Sequence, residues 1–158
     1  MERNLYKNPE ILKAYIGTPS KFSWYEKVFD SYDVNGVEKF SFNWSWWAFL
    51  GSPAYLAYRK CYLMVAGVWL VQILLSYFFT AWILFSIVLG FICPWLVYKK
   101  YRKTIAEIEN AENDFAIQVE MARELGGVNT LVRNIIVALY GVILILFFTA
   151  IGLMTILV

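Results

Sequence analysis

The chain contains no histidine, only two cysteines and few charges. The missing imidazole excludes Ser-His-Asp and Cys-His catalysis, histidine metal sites and histidine-ligated haem. Cys61 and Cys93 are too far apart in sequence to make a zinc site. Charged residues make up 16% of the chain, against about a quarter in ordinary soluble domains. The deficit is local. No Asp, Glu, Lys or Arg occurs from Cys61 to Tyr98, or from Asn134 to Val158. With no ionisable group inside either stretch, a proton or ion relay has no parts. There is no internal repeat of the kind transporters use. There is also no glycine-rich phosphate loop, and Gly126-Gly127 reads as a helix stop. The first forty residues mix charges and aromatics without an apolar signal core, so the N-terminus is expected to stay in the cytoplasm.

What is present is apolar and aromatic: hydrophobic residues make up 60% of the chain, and Phe, Trp and Tyr together 19% of it. A spanning helix needs about 20 apolar residues. The block 61–98 has room for two such helices and a tight turn, and the last block for one. The expected fold is therefore an all-α integral membrane protein with three transmembrane helices. A hairpin (about 61–78 and 81–98) is followed by a C-terminal helix over 131–158. Residues 1–40 form a cytoplasmic N-terminal helical segment, 41–60 an interfacial or re-entrant aromatic helix, and 99–130 a cytoplasmic amphipathic, acidic helix.

Arg59 and Lys60 precede the hairpin, Lys99, Lys100, Arg102 and Lys103 follow it, and Arg133 precedes the last helix. The turn near Phe78–Ala81 carries no charge. By the positive-inside rule the basic ends are cytoplasmic and the C-terminus lies outside. The cations then form one collar at headgroup level. They act as topology signals or, more specifically, as an anionic-lipid site. Both cysteines fall near the same, reducing face; a bridge between them is geometrically allowed, and two small packed thiols is the preferred reading.

Along the chain, a short helix is expected over Glu10–Ile16, stopped by Gly17-Thr18-Pro19, then a second over Lys21–Tyr32 capped by Ser20. Asp33-Val34-Asn35-Gly36 is a turn. It fails as a calcium loop, because position 42 is Phe42 and no acidic residue opens the loop. A helix capped by Asn43 runs to Leu50 and breaks at Gly51-Ser52-Pro53. Gly90 and Pro94 predict a kink in the second crossing. Gln72, Ser76, Thr80 and Ser86 are the few polar groups of the hairpin, expected to bond a backbone carbonyl or to reach across helices as contact groups. The second crossing is expected to continue as one long helix to Gly126, with Ile105, Ile108, Phe115, Val119 and Ala122 on one face. Asn129 or Thr130 caps the last helix, in which Ala138, Gly141, Thr149 and Gly152 form a small-residue side.

Residues Phe42, Asn43, Trp44, Ala48, Phe49, Gly51, Pro53, Leu56, Tyr58, Arg59, Lys60 and Tyr62 together resemble the signature of the DUF2628 family. These are small bacterial inner-membrane proteins of unknown function. The chain departs from that pattern by an inserted Ser52 and by Trp46-Trp47. The resemblance implies a bacterial inner-membrane location and points to the aromatic segment with Arg59-Lys60 as the working part. It implies no activity.

The expected function is that of a non-enzymatic accessory or adaptor subunit in a larger membrane complex. It needs no cofactor or metal, binds no nucleic acid, and takes a membrane-protein partner or a second copy of itself. The alternative is an anionic-lipid-binding or lipid-sensing protein. The candidate lipid- or partner-binding residues are Asn43, Trp44, Trp46, Trp47, Tyr58, Arg59, Lys60, Lys99, Lys100, Arg102 and Lys103. An enzyme would have only cytoplasmic carboxylates such as Asp33 or Glu38 to work with.

Overall fold

The computed structural model describes residues 5–34 and 36–157, and within helices the side chains other than those of residues 79, 147–148 and 150–157. Asn35 of the expected turn and the surroundings of Gly152 lie outside the described residues. The described residues are mostly helical, with one small hairpin and short connecting segments, in agreement with an all-α chain.

Helix α1 spans Pro9–Ile16. Asn8 caps it, its Oδ1 accepting from the Glu10 N–H at 2.8 Å, and Pro9 occupies the first turn, where no amide proton is missed. Gly17 ends it in the left-handed region at φ 60. Helix α2 spans Phe22–Tyr32 and buries Tyr25, Val28, Phe29 and Tyr32 at helical spacing. Ser20 is not its cap. Pro19–Lys21 forms a separate 3-10 turn, and Lys21 at the cap position makes no side-chain bond. Strands β1 (Asp33–Val34) and β2 (Val37–Glu38) pair antiparallel, with Asp33 opposite Glu38.

Helix α3 spans Trp46–Tyr58. Its cap is Ser45, whose Oγ accepts from the Ala48 N–H at 3.3 Å, rather than Asn43. The expected break is present: Gly51 is non-helical (φ −156, ψ 59), and Pro53 follows. Helix α4 covers Tyr62–Leu75 and α5 covers Phe79–Ala111, running unbroken through Pro94. The expectation of one helix from α5 to Gly126 fails at Glu112. There the backbone becomes extended, and the Glu112 carboxylate accepts from the N–H groups of Asn113 and Asp114 at 2.7 and 3.0 Å. Asp114 then caps a new helix, α6 (Phe115–Leu125), through Ala116 and Ile117. Short polar side chains that bond nearby amides offer the backbone an alternative to helix, and here they win. Asn129 caps α7 (Thr130–Leu157), accepting from Val132 at 3.0 Å.

Because the chain turns at 112–114, α6 folds back against α1 and α5. The apolar face expected on one helix is thus divided between two: Ile105 and Ile108 on α5 are buried against Ala122, with Phe115 and Val119 at their edge. The lobe core is rich in tyrosine. Tyr15, Tyr32, Tyr98 and Tyr101 are nearly inaccessible, and their rings meet each other, Phe29 and Trp95 in mainly edge-on contacts. Such pairs contribute roughly 0.5–1.5 kcal/mol each beyond area burial. Helices α1 and α6 approach at Gly126. A Cβ there would lie 2.4 Å from the Tyr15 carbonyl oxygen, and the next amide, of Gly127, donates to that oxygen at 2.6 Å.

Two helical stretches are long and apolar enough to cross a bilayer, one in α5 and one that ends in α7. Helix α4 is apolar but shorter: its 14 residues rise about 21 Å, against roughly 30 Å of hydrocarbon. The described apolar part of α7, up to Leu146, is almost wholly uncovered by the rest of the chain. Of the small residues on α7, Ala138 and Thr149 are exposed, and a Cβ on Gly141 would meet nothing within 4 Å.

Because Gly126 faces backbone rather than a movable side chain, Gly126→Ala is expected to destabilise the lobe by about 1–3 kcal/mol or more. Thermal unfolding in detergent, followed by circular dichroism, checks this.

Candidate functional site

The candidate residues divide into an aromatic strap and a set of cations, and the structure uses them differently. Residues 39–45 join β2 to α3 without regular secondary structure, and Ser45 is extended. Asn43 donates to the Ser31 hydroxyl at 2.8 Å, so it ties the strap to α2. Trp44 packs on α5: a Cβ at Gly90 would sit 2.5 Å from its ring, and Phe91 meets it edge-on. Its indole N–H is buried without a partner. Trp46 and Trp47, by contrast, project outward, Trp47 with 73% of its surface exposed.

Pro94 explains how the strap docks. Proline has no amide proton, so the carbonyl four residues earlier loses its helical partner. That carbonyl belongs to Gly90, and the Ser45 N–H donates to it at 3.0 Å. Gly90 and Pro94 together make a socket for Trp44 and Ser45.

The cations turn inward. Arg59 is 5% exposed. Its Nε donates to the Tyr25 hydroxyl at 2.9 Å, Nη1 to the Ile16 carbonyl at 2.7 Å and Nη2 to the Thr18 hydroxyl at 3.1 Å. Its guanidinium also lies over the rings of Tyr25 and Tyr58, at 4.3 and 5.2 Å. Among the described residues no carboxylate pairs with it. Burial raises the Tyr25 phenol above its ordinary pKa, so it remains a neutral acceptor for Arg59. Lys60, in the left-handed region at φ 58, donates to the Glu124 carbonyl at 3.0 Å. Lys100 donates to the carbonyls of Arg59 and Lys60 at 3.2 and 3.0 Å. Burial lowers its pKa from the usual 10.5.

The remaining cations sit in one ion-pair cluster. Lys99 pairs with Glu38, Arg102 with Asp33 at 2.8 Å and Glu38 at 3.7 Å, and Lys7 with Asp33 at 3.0 Å. Arg102 also lies 3.6 Å from the Tyr6 ring centroid. The two carboxylates that seemed unplaced in sequence are brought opposite each other by the β1–β2 pairing, each held by cations. Lys103 stands apart, its side chain 80% exposed and 3.8 Å from Glu107. Tyr58 lies between Arg59 and Arg133, both 5.2 Å from its ring.

A chain of polar contacts that sequence reasoning missed links α3, α4 and α7. Gln72 donates to the Ser52 hydroxyl at 3.4 Å and accepts from the Tyr140 hydroxyl at 3.4 Å; the Trp69 indole donates to Tyr140 at 3.0 Å. Gln72 was visible as a polar residue in an apolar run, but Tyr140 and Ser52 gave no signal. Ser76 and Ser86 bond carbonyls of their own helices. Cys61 and Cys93 are both buried and unbridged.

No family model, curated protein or solved structure matches the chain.

Arg59→Gln is expected to cost about 3 kcal/mol or more, since it leaves buried acceptors unpaired. Arg59→Lys recovers only part of this, because one ammonium cannot reach three acceptors on two elements. Lys103→Gln should fall within about 0.5 kcal/mol of the parent. Unfolding midpoints in detergent check all three.

Asp33 gives a pH test. Burial opposes its ionisation, but the Gly36 N–H, Lys7 and Tyr6 outweigh burial and hold its pKa below 3.8. A carboxyl with a lowered folded pKa stabilises fully above its unfolded value and loses that contribution as pH falls through the folded one. The lobe should thus lose stability below about pH 4. Asp33→Asn should flatten that part of the pH–stability curve.

Proposed function

We propose that this chain is a small membrane-embedded accessory subunit, with its lobe in the cytoplasm and its uncovered helices docking on a membrane partner or on a second copy. The layout has three crossings, α4, α5 and α7, in a bacterial inner membrane. The N-terminus is inside and the C-terminus outside. The resemblance of residues 40–62 to DUF2628 proteins fits that placement.

The observation that carries this reading is a contrast in satisfaction. Nearly every candidate cation engages groups of its own chain. The apolar surfaces of α4 and α7 engage little: Leu63, Leu70, Ile73, Leu74, Val142 and Leu146 are all exposed. A protein built to hold anionic headgroups keeps its guanidinium free for bidentate contact; Arg59 is the most enclosed of the set. The lipid-sensing alternative therefore rests on Lys103 and on the exposed part of Lys99, which is less than the adaptor reading has. The small packed lobe suits an adaptor because it fixes where the three apolar helices enter the bilayer.

Extraction of the native protein in mild detergent tests the proposal. The expected result is a complex with a stoichiometric membrane companion, or a defined homo-oligomer, by native mass spectrometry. A lone monomer carrying only tightly bound anionic lipid overturns the adaptor reading in favour of the alternative.

A further inference from the structure

We infer that residues 39–60 form a re-entrant loop that dips halfway into the cytoplasmic leaflet and offers Trp46, Trp47 and Leu50 to lipid acyl chains. This rests on the membrane layout proposed above. It takes the aromatic segment off the headgroup surface and puts it inside the bilayer.

The descending limb is registered on α5. Glu38 meets Lys99, Phe40 meets Trp95, Phe42 meets Phe91, and Trp44 meets Gly90 and Phe91. Glu38, Phe40 and Phe42, two residues apart along the strap, thus meet positions 99, 95 and 91, four apart on α5, and Trp44 stays at the level of Gly90 and Phe91. The two spacings agree, because two strand residues advance about 6.6 Å and four helix residues about 6.0 Å. The limb therefore runs straight along α5, against its direction. It ends where the Ser45 N–H donates to the Gly90 carbonyl. At 1.5 Å per residue, Gly90 lies about 14 Å along the axis from Lys99. That is close to half of the roughly 30 Å hydrocarbon layer.

The returning limb is α3. After the break at Gly51 its residues Ser52–Ala57 are buried, packed among α4, α5 and α7. It emerges at Arg59 and Lys60, whose carbonyls are held by Lys100. The segment thus enters beside Lys99 and leaves beside Lys100, one residue apart on the same helix. A loop whose two ends share one level and whose tip lies half a bilayer away has gone in and come back.

The chemistry of the tip matches immersion. Non-helical backbone at membrane depth is tolerated only against protein, and the socket formed by Gly90 and Pro94 supplies that cover. The two serine hydroxyls at the tip have partners, Ser45 taking the Ala48 N–H and Ser52 the Gln72 amide, and the Trp44 indole N–H is the one buried side-chain donor there left without one among the described residues. What remains exposed is apolar: Phe42, Trp46, Trp47 and Leu50. Acyl chains suit such a surface, whereas a protein partner would be expected to find polar groups at its rim. Insertion to half depth adds cross-section to one leaflet only and fixes the height of the lobe.

Nitroxide labels read the depth directly. Three variants, Trp47→Cys at the tip, Leu84→Cys on the exposed side of α5 and Lys39→Cys at the loop entrance, are reconstituted in phosphatidylethanolamine–phosphatidylglycerol vesicles. The parent protein, whose Cys61 and Cys93 are buried, gives the labelling background. Relaxation by oxygen and by an aqueous nickel chelate is compared. The expected result is an oxygen-to-nickel ratio at Trp47→Cys close to that at Leu84→Cys and many-fold above that at Lys39→Cys. A nickel-dominated label at Trp47→Cys with an oxygen-dominated one at Leu84→Cys overturns the loop and leaves the membrane layout standing. Nickel dominance at both overturns the layout itself. Shielding of the Trp47→Cys label from both reagents places protein over the tip and likewise overturns the inference.

Discussion

Three cations close three helix ends, and the arrangement of the lobe depends on them. Arg59 takes the Ile16 carbonyl at the end of α1, Lys60 the Glu124 carbonyl near the end of α6, and Lys100 the Arg59 and Lys60 carbonyls just past the end of α3. The last carbonyls of a helix have no partners within it, and the helix dipole places partial negative charge there. A cation satisfies both conditions without a carboxylate. This explains how Arg59 is buried with no acidic partner among the described residues. It also explains why the starts of α4 and α7 sit beside one another: Tyr58 accepts from the Asn129 N–H at 2.8 Å, and Asn129 in turn donates to the Tyr62 hydroxyl at 2.7 Å. The collar is thus a junction at which five helix ends are pinned, those of α1, α3 and α6 and the starts of α4 and α7.

On the lobe side of that junction, packing is dense and largely aromatic. Tyrosine suits the position because a ring fills volume while its hydroxyl accepts or donates at the edge. Tyr25 serves Arg59, and Tyr101 donates to the Tyr6 carbonyl at 2.6 Å. On the other side, α4 and the described part of α7 are little covered. In water such surfaces would associate, since burial of apolar area is favourable by about 25 cal/mol per Å². In hydrocarbon the same surfaces are already solvated, and helices hold together by small residues and hydrogen bonds. The Ser52–Gln72–Tyr140–Trp69 chain is that kind of contact, and it lies where α3, α4 and α7 meet.

The socket on α5 shows how one residue type serves two ends. Pro94 was readable as a kink signal, and its missing amide proton frees a carbonyl. The structure applies that carbonyl to hold Ser45 while α5 continues. Gly90 was readable as a helix weakness and proves to be a clearance for the Trp44 ring. In both cases local chemistry was legible and the partner was not, because the partner comes from a segment more than forty residues earlier in the chain.

Sequence alone determined the helical class, the placement of the apolar runs, a cap for α7 at Asn129 or Thr130, the stop at Gly17, the break at Gly51 and the amphipathic face from Ile105 to Ala122. These follow from local propensity and periodicity, which act over a few residues. Tertiary structure decided the break at Glu112–Asp114, which divides that face between two helices, and the fate of the cations. A run such as Arg59-Lys60 looks the same in sequence whether it meets phosphates or helix ends. Only the fold brings Ile16, Thr18, Tyr25 and Glu124 to it, because hydrogen bonds between distant segments depend on where the chain returns and leave no periodic trace.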